Sequence, residues 1–375
     1  MKSKVVMIPC ENYEDGLAEK LEKAMSLLGG IESLIGREER ITVKTNILNP
    51  VAPEKAITTH PAVFGAMLSL LKNHGYANVT YGDTPTAVLE KRDRYQSCGL
   101  RAEGEKYGYL PGDYETQVNV SFPQGKVCRE FPLCREAAEA DAIICVCKMK
   151  THAMQILTGA VKNQYGFLAG QNKTIFHAKF PSRPSFAQML CDLNLCLKPR
   201  LYLMDGIVAL EGNGPGAGGD PTPMKVMLLS TDPVALDATF ARLVYLKPEQ
   251  VPTCLYGAQM GLGTYEENAV ELLLPDGETI SCREAAARFG NPHFLVRDRS
   301  TAAAFLSNVI GRKPGDRPVV DLKKCIACGV CEGACPVEGK AVHSGNGKKA
   351  KYDYQKCIRC YCCQEMCPVR AISKK

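Results

Sequence analysis

The sequence predicts an α/β body, a mostly parallel sheet with helices on both faces, followed by a small α+β unit at the carboxyl end. Three observations predict it. Short apolar runs alternate with helical patterns over residues 1–310, the signature of strand–helix–strand units. One run, DAIICVCK at 141–148, is almost continuously apolar, as in a strand covered on both faces. Nine of the nineteen cysteines crowd into residues 325–367, so the tail has its own chemistry.

The elements follow in order. KVVMIP (4–9) reads as a strand and EDGLAEKLEKAMSLLGG as a helix closing at Gly29. RITVK (40–44) is the next strand. PAVFGAMLSLLKNHG is a helix that opens on Pro61, where no amide donor is needed, and closes at Gly75. NVTYG (78–82) and DAIICVCK (141–148) are further strands, then RLYLMD (200–205) and KVMLLS (225–230). Asp232 before Pro233 reads as the cap of a helix over 233–246. GRKPGDRPVVD looks like a connector, so the domains are expected at 1–310 and 321–375 with a linker at 311–320.

Composition is that of an ordinary globular protein, 45% hydrophobic and 23% charged, with no Trp. The longest apolar stretch near the amino terminus is residues 5–9, far too short for a membrane span or an export signal. A cytoplasmic location is expected, and nineteen cysteines there are thiols or metal ligands rather than a disulfide framework. The formal charge of +6 resides in the tail, where eleven Lys/Arg face five Asp/Glu from Asp321 onward. Negatively charged metal clusters would offset that surplus, so neither nucleic acid nor a membrane is expected as partner.

The tail is a repeat. KCIACGVCEGACPV from Lys324 and KCIRCYCCQEMCPV from Lys356 share one pattern at an offset of 32 residues. C-x2-C-x2-C-x3-C-P, present twice, is the spacing of bacterial proteins with two four-iron clusters, in which the fourth cysteine of each run serves the other cluster. Cys325, Cys328, Cys331 and Cys367 are expected to hold one [4Fe-4S] cluster, and Cys357, Cys360, Cys363 and Cys335 the second. Cys362 fits neither interval and stands where the first half has Val330, a packing position. Gly345, Asn346 and Gly347 read as a hairpin turn between the halves. Residues 321–375 closely resemble the two-cluster bacterial ferredoxin family.

In open α/β sheets ligands gather beyond the carboxyl ends of the strands. That rule selects Lys44-Thr45-Asn46, Asp83-Thr84, Lys150-Thr151-His152, Asp205 and Asp232. Two strand-end lysines, each followed by a hydroxyl and a polar side chain, suit an anion. Lys162 and Asn163 follow a Thr-Gly turn, with His152 ten residues before Lys162. Lys150, His152 and Lys162 are the catalytic candidates, and Lys44, Asn46, Asn163, Gly214 and Gly216 the cofactor-binding ones. His60 and His177 are weighed as structural first. The glycine-rich EGNGPGAGGDPTP (211–223) leads into a strand rather than a helix, so it reads as a binding loop or lid, not a dinucleotide fingerprint.

With KTN, GDTP, KTH, TGAVKN and DGIVALEGNGPGAGGDP in this order before a two-cluster tail, the chain resembles the prokaryotic family catalogued as domain of unknown function 362, often fused to a ferredoxin module. The resemblance implies architecture and clusters rather than a substrate. Two functions compete. One is an iron–sulfur oxidoreductase passing single electrons between a partner protein or small donor and an anionic small molecule held in the body, with His152 as proton donor. The other is a ligand-binding or redox-sensing module with structural clusters, or an accessory donor of electrons or clusters.

Overall fold

The computed structural model describes residues 2–84, 93–296 and 317–374. Its body is organised by strands β1 (Ser3–Pro9), β2 (Ile41–Lys44), β3 (Val79–Gly82), β4 (Leu110–Pro111), β5 (Gln117–Ser121), β6 (Glu130–Cys134), β7 (Ala142–His152), β8 (Ile156–Thr158), β9 (Leu201–Gly212), β10 (Gly219–Ser230), β11 (Val270–Leu273) and β12 (Thr279–Ile280). Ten form one sheet in the order β12-β11-β1-β10-β9-β7-β2-β3-β4, with β8 folded back on β7. Pairings through β9-β7-β2-β3-β4 and β1-β11 are parallel. The β1-β10-β9 pairings, β11-β12 and β7-β8 are antiparallel, so the sheet is mixed with a parallel majority.

Alternate residues of each strand feed two buried apolar layers. Val5, Met7, Cys145 and Cys147 belong to one, packed with the helix Arg183–Leu197. Val6, Ile8, Ile144 and Val146 belong to the other, packed with the helices Leu17–Leu27 and Pro61–Asn73. Burial on both faces is what the near-continuous apolar runs require. No helix among the described residues is long and apolar enough to cross a membrane.

Two strands run beyond the ends read from the sequence. β7 continues through Lys150, Thr151 and His152, all eleven of its residues buried. β9 passes Asp205 and reaches Gly212. The reason is register. Lys148 lies opposite Asp205, and its ammonium meets the carboxylate at 2.6 Å with both side chains fully buried. Tyr13 donates to the second carboxylate oxygen and the His60 amide to the first. A charge neutralised in place does not end a strand, although in sequence it looks like a loop signal. Asp205 is therefore a structural counter-ion, and Asp232 is the helix cap expected, accepting from the Val234 and Ala235 amides. β9 and β10 form a hairpin whose connection is the glycine-rich stretch.

The tail is a second small unit with β13 (Pro318–Val320), β14 (Val342–Gly345), β15 (Lys348–Tyr352) and β16 (Ile372–Lys374). β13 pairs with β16 and β14 with β15, all antiparallel. The turn between β14 and β15 has positive φ at Asn346 and Gly347, the two-residue hairpin that matches strand twist. Of the expected linker at 311–320, residues 311–316 lie outside the described residues, and Pro318–Val320 form β13.

Candidate functional site

The two halves of the tail share one backbone. Ala327 and Arg359 are left-handed, as are Gly329 and Tyr361, and each pair is 32 residues apart. Short helices follow at Val330–Gly333 and Cys362–Glu365. The Cys325 amide donates to Asp321 O and the Cys357 amide to Asp353 O. Left-handed Lys340 and Arg370 then turn Ala341 and Ala371, whose amides donate to Cys335 Sγ at 3.3 Å and Cys367 Sγ at 3.2 Å. These equivalences set Cys363 opposite Cys331 and Cys362 opposite Val330.

The donor set fits a cluster. Cys331, Cys335, Cys363 and Cys367 share the tail's core, with Cys325 and Cys357 packed against it. Besides the two alanine amides, the Ala350 amide reaches Cys325 Sγ at 3.5 Å and the Tyr352 hydroxyl reaches Cys363 Sγ at 3.2 Å. Donors aimed at sulfur stabilise thiolates and tune a cluster's potential. Among the described residues no three His, Cys, Asp or Glu side chains converge as one bound ion needs, whereas a four-iron cube holds its thiolates apart at separate corners.

The tail docks on the carboxyl end of the body's sheet. Gln364 donates to Asn213 O at 2.8 Å, and Arg370 to Asp220 at 2.6 Å and Gly219 O at 2.9 Å. Gly216 lies so close that a β-carbon there would stand 2.2 Å from Glu365 O. The glycine-rich loop is thus the seam that receives the tail. Gly214 and Gly216 make that seam rather than facing an open pocket, and Pro215 between them does line one.

That pocket is a partly open cavity of about 80 Å³ between body and tail. The body wall carries Asn46, Asp83, Lys150, Lys162 and Asn163, and the tail wall carries Cys362 and Glu365. Register explains the body wall. Lys44 ends β2 opposite Gly82 and Cys145, so it meets Asp83 at 2.9 Å. Asn163 donates to Lys44 O, Thr45 O and Cys145 Sγ. Gly166 must be glycine, since a β-carbon would fall 2.1 Å from Asp83 Oδ1 and 2.4 Å from Lys44 Nζ. Lys150 Nζ donates to Asn46 Oδ1 and to Ile57 O, each at 2.9 Å.

The cavity is short of negative charge. Lys150, Lys162 and Lys173 line it, with Lys44 behind them paired to Asp83, and among side chains they face only the carboxylates of Asp83 and Glu365. Lys162 has no ion-pair or hydrogen-bond partner among the described residues, its ammonium standing 5.8 Å from the Tyr165 ring centre. Burial pushes the Lys150 ammonium down to about 7, helped by the charge of Lys162. It also lowers Lys162 itself, and Lys173 to about 8. Asp83 Oδ1 and Glu365 Oε1 are buried, each beside a nitrogen (Lys44 Nζ at 2.9 Å, His152 Nε2 at 3.0 Å) but without a well-aligned hydrogen bond.

His152 stands behind this wall rather than in it, lining a smaller neighbouring cavity with Gly214. Its Nδ1 accepts from the Met154 and Gln155 amides, both at 3.0 Å, which fixes the proton on Nε2. Nε2 lies 3.0 Å from Glu365 Oε1 without the alignment of a good hydrogen bond. Burial holds the imidazole down at about 4, so it is neutral. Burial pushes the Glu365 carboxyl up, but the His152 Nε2 proton beside it and the charge of Lys162 outweigh burial and keep it below the usual carboxylate range. His177 lines the main cavity, and burial pushes it down to about 3.

Sequence reasoning missed Glu365, Lys173 and the Lys148–Asp205 pair. Lys148 and Lys150 alternate along one strand with Cys145 and Cys147, a signal that could have marked a buried charged row. Glu365 carried none, since it reads as an exposed position on a short helix. Asp83, expected either as a turn or as a site residue, lies in the cavity.

Residues 41–242 match the domain of unknown function family DUF362, and residues 317–368 match a 4Fe-4S dicluster domain. The thylakoid-associated protein sll1697 of Synechocystis sp. is 30% identical over 284 residues, spanning 73% of this chain and 84% of that protein. A crystal structure of a Thermotoga maritima protein from the Northeast Structural Genomics Consortium aligns at TM-score 0.36 and 14% identity. It covers 64% of this chain, which spans 59% of that one. The chain belongs to the DUF362 family and carries at its carboxyl end an iron–sulfur domain of the electron-transferring 4Fe-4S type.

Proposed function

We propose that the chain is an iron–sulfur oxidoreductase that exchanges single electrons with a small anion held between its two units. The observation that carries this reading is the cavity whose one wall is the cysteine loop of the tail and whose other wall is a surplus of lysines. Two [4Fe-4S] clusters are assigned, one on Cys325, Cys328, Cys331 and Cys367 and one on Cys357, Cys360, Cys363 and Cys335. They supply one-electron chemistry when bound. The second set has more neighbours on the cavity wall: Cys362 and Ala334, next to Cys363 and Cys335, line it, against Met366 next to Cys367 of the first set.

The residues of this chain divide the remaining work. Lys150 and Lys162 bind and orient the anion, and Asn46 and Asn163 fix Lys150 and the end of β2. Docking of the tail excludes water, which strengthens each charge inside. His152, neutral and fixed by two amides, positions Glu365 instead of donating a proton to the ligand. A volume of 80 Å³ is about that of two or three waters, so the ligand is a small carboxylate or oxyanion. Many free cysteines beside two clusters suit a reducing setting, so a cytoplasmic site of action is part of this proposal.

The test is an anaerobic redox titration followed by EPR, with and without acetate or phosphate. The reading expects one cluster signal to respond to an anion, and the response to disappear in Lys162→Met. Clusters indifferent to every small anion would leave electron transfer to another protein as the only activity.

A further inference from the structure

The two halves of the tail share a backbone but not an environment. In the second half residues 360–367 are all buried, against the body or within the tail. Of the equivalent residues 328–335 in the first half, only Cys331, Ala334 and Cys335 are buried. Cys328 is exposed where Cys360 is buried, and Ile326 is 61% exposed while Ile358 is only partly so. Leu322 is 53% exposed. Two large apolar side chains left exposed four residues apart, beside a cysteine loop, suit a partner surface.

The rim of this patch is basic. Lys323 and Lys324 flank it in sequence and are exposed, and Lys349 donates to Leu322 O at 2.7 Å, which places it alongside. None of the three has an ion-pair partner among the described residues. The nearby acids are already engaged. Asp321 accepts from the Lys323 amide, and Glu332 takes His343 and the Ser344 amide.

We propose that the face formed by Leu322, Lys323, Lys324, Ile326 and Lys349 is the docking surface for an acidic electron-carrier protein. An apolar centre with a like-charged rim steers an oppositely charged partner and fixes its orientation. The chain then has a direction. The carrier meets the outer cysteine set at this end, and the inner set adjoins the cavity at the other. This inference rests on the tail holding its clusters, and the test separates the two.

The full chain, purified and loaded without oxygen, is titrated calorimetrically with an oxidised acidic bacterial ferredoxin at low and high salt. Binding is expected to weaken with salt. Lys323→Glu/Lys324→Glu is expected to weaken it by about tenfold or more at low salt and to flatten the salt dependence. Lys247→Glu, an exposed lysine on the body, is the control and is expected to change nothing. Visible absorbance and reduction by a neutral photoreduced deazaflavin should be the same in all variants, which shows the clusters intact. Equal affinity in the double variant and the native chain overturns the proposal. So does binding to anionic lipid vesicles, lost in the same variant, with no binding to the carrier. A colourless preparation instead refutes the cluster reading on which the proposal stands.

Discussion

Replacing Lys162 by Met removes one charge from the cavity and leaves most of the side-chain volume. The ammonium makes no direct ion pair among the described residues, Glu365 and Asp83 attracting it only from a distance, and burial lowers its proton affinity. An incoming anion therefore gains a charge-assisted hydrogen bond that no protein group now takes. Such a bond is worth about 1.5–3 kcal/mol, so Lys162→Met should weaken anion binding roughly 10- to 150-fold. The same change should not destabilise the fold, because an unpaired buried charge costs more than the methionine that replaces it. The melting temperature should hold or rise. The assay is calorimetric titration with acetate and phosphate beside a thermal melt, both without oxygen. Unchanged affinity would refute the assignment of Lys162 to a ligand. Lost affinity with a much lower melting temperature would mean that the lysine supports the fold instead.

Other expectations follow from the same geometry. Cys362→Ser should keep all the iron, while Cys363→Ser should lose one cluster, as iron analysis and visible absorbance would show. Gly216→Ala forces a β-carbon to 2.2 Å from Glu365 O, a backbone clash costing ~1–3 kcal/mol, so amide exchange around residues 362–366 should accelerate. Lys150, held at about 7 by burial, binds an anion only when protonated. Anion affinity should therefore be full below pH 7 and fall above it, and Lys150→Met should abolish that dependence. For stability the sign is opposite. The unfolded lysine stays protonated up to its higher ordinary value, so this residue's contribution grows as pH rises from 7 and is lost as pH falls back through that range.

The alternating elements were legible because each strand and helix carried its own period, and the turn at Asn346-Gly347 because its residues tolerate positive φ. The tail repeat was legible in most detail, since cluster spacing is a local constraint of the chain. Lys44, Asn46, Asp83, Lys150, Lys162 and Asn163 were readable as strand-end or turn polar groups, and the fold gathers them. What could not be read was long-range. Whether Asp205 is a ligand or a counter-ion depends on which strand lies beside it, and Lys148 is 57 residues away in sequence. Likewise nothing local says that the glycine-rich loop receives the tail, or that Glu365 of the tail closes a cavity in the body.

The central claim is that the inner cysteine set lies closer to an anion-binding cavity than the outer set does. Spectroelectrochemical titration with EPR detection, with and without saturating acetate, tests it most directly. A bound anion opposes added negative charge nearby, and coupling is reciprocal, so the midpoint potential of one cluster should fall by tens of millivolts, about 59 mV for a tenfold coupling. The other cluster should stay where it was. Both potentials moving together, or neither moving, would contradict the account.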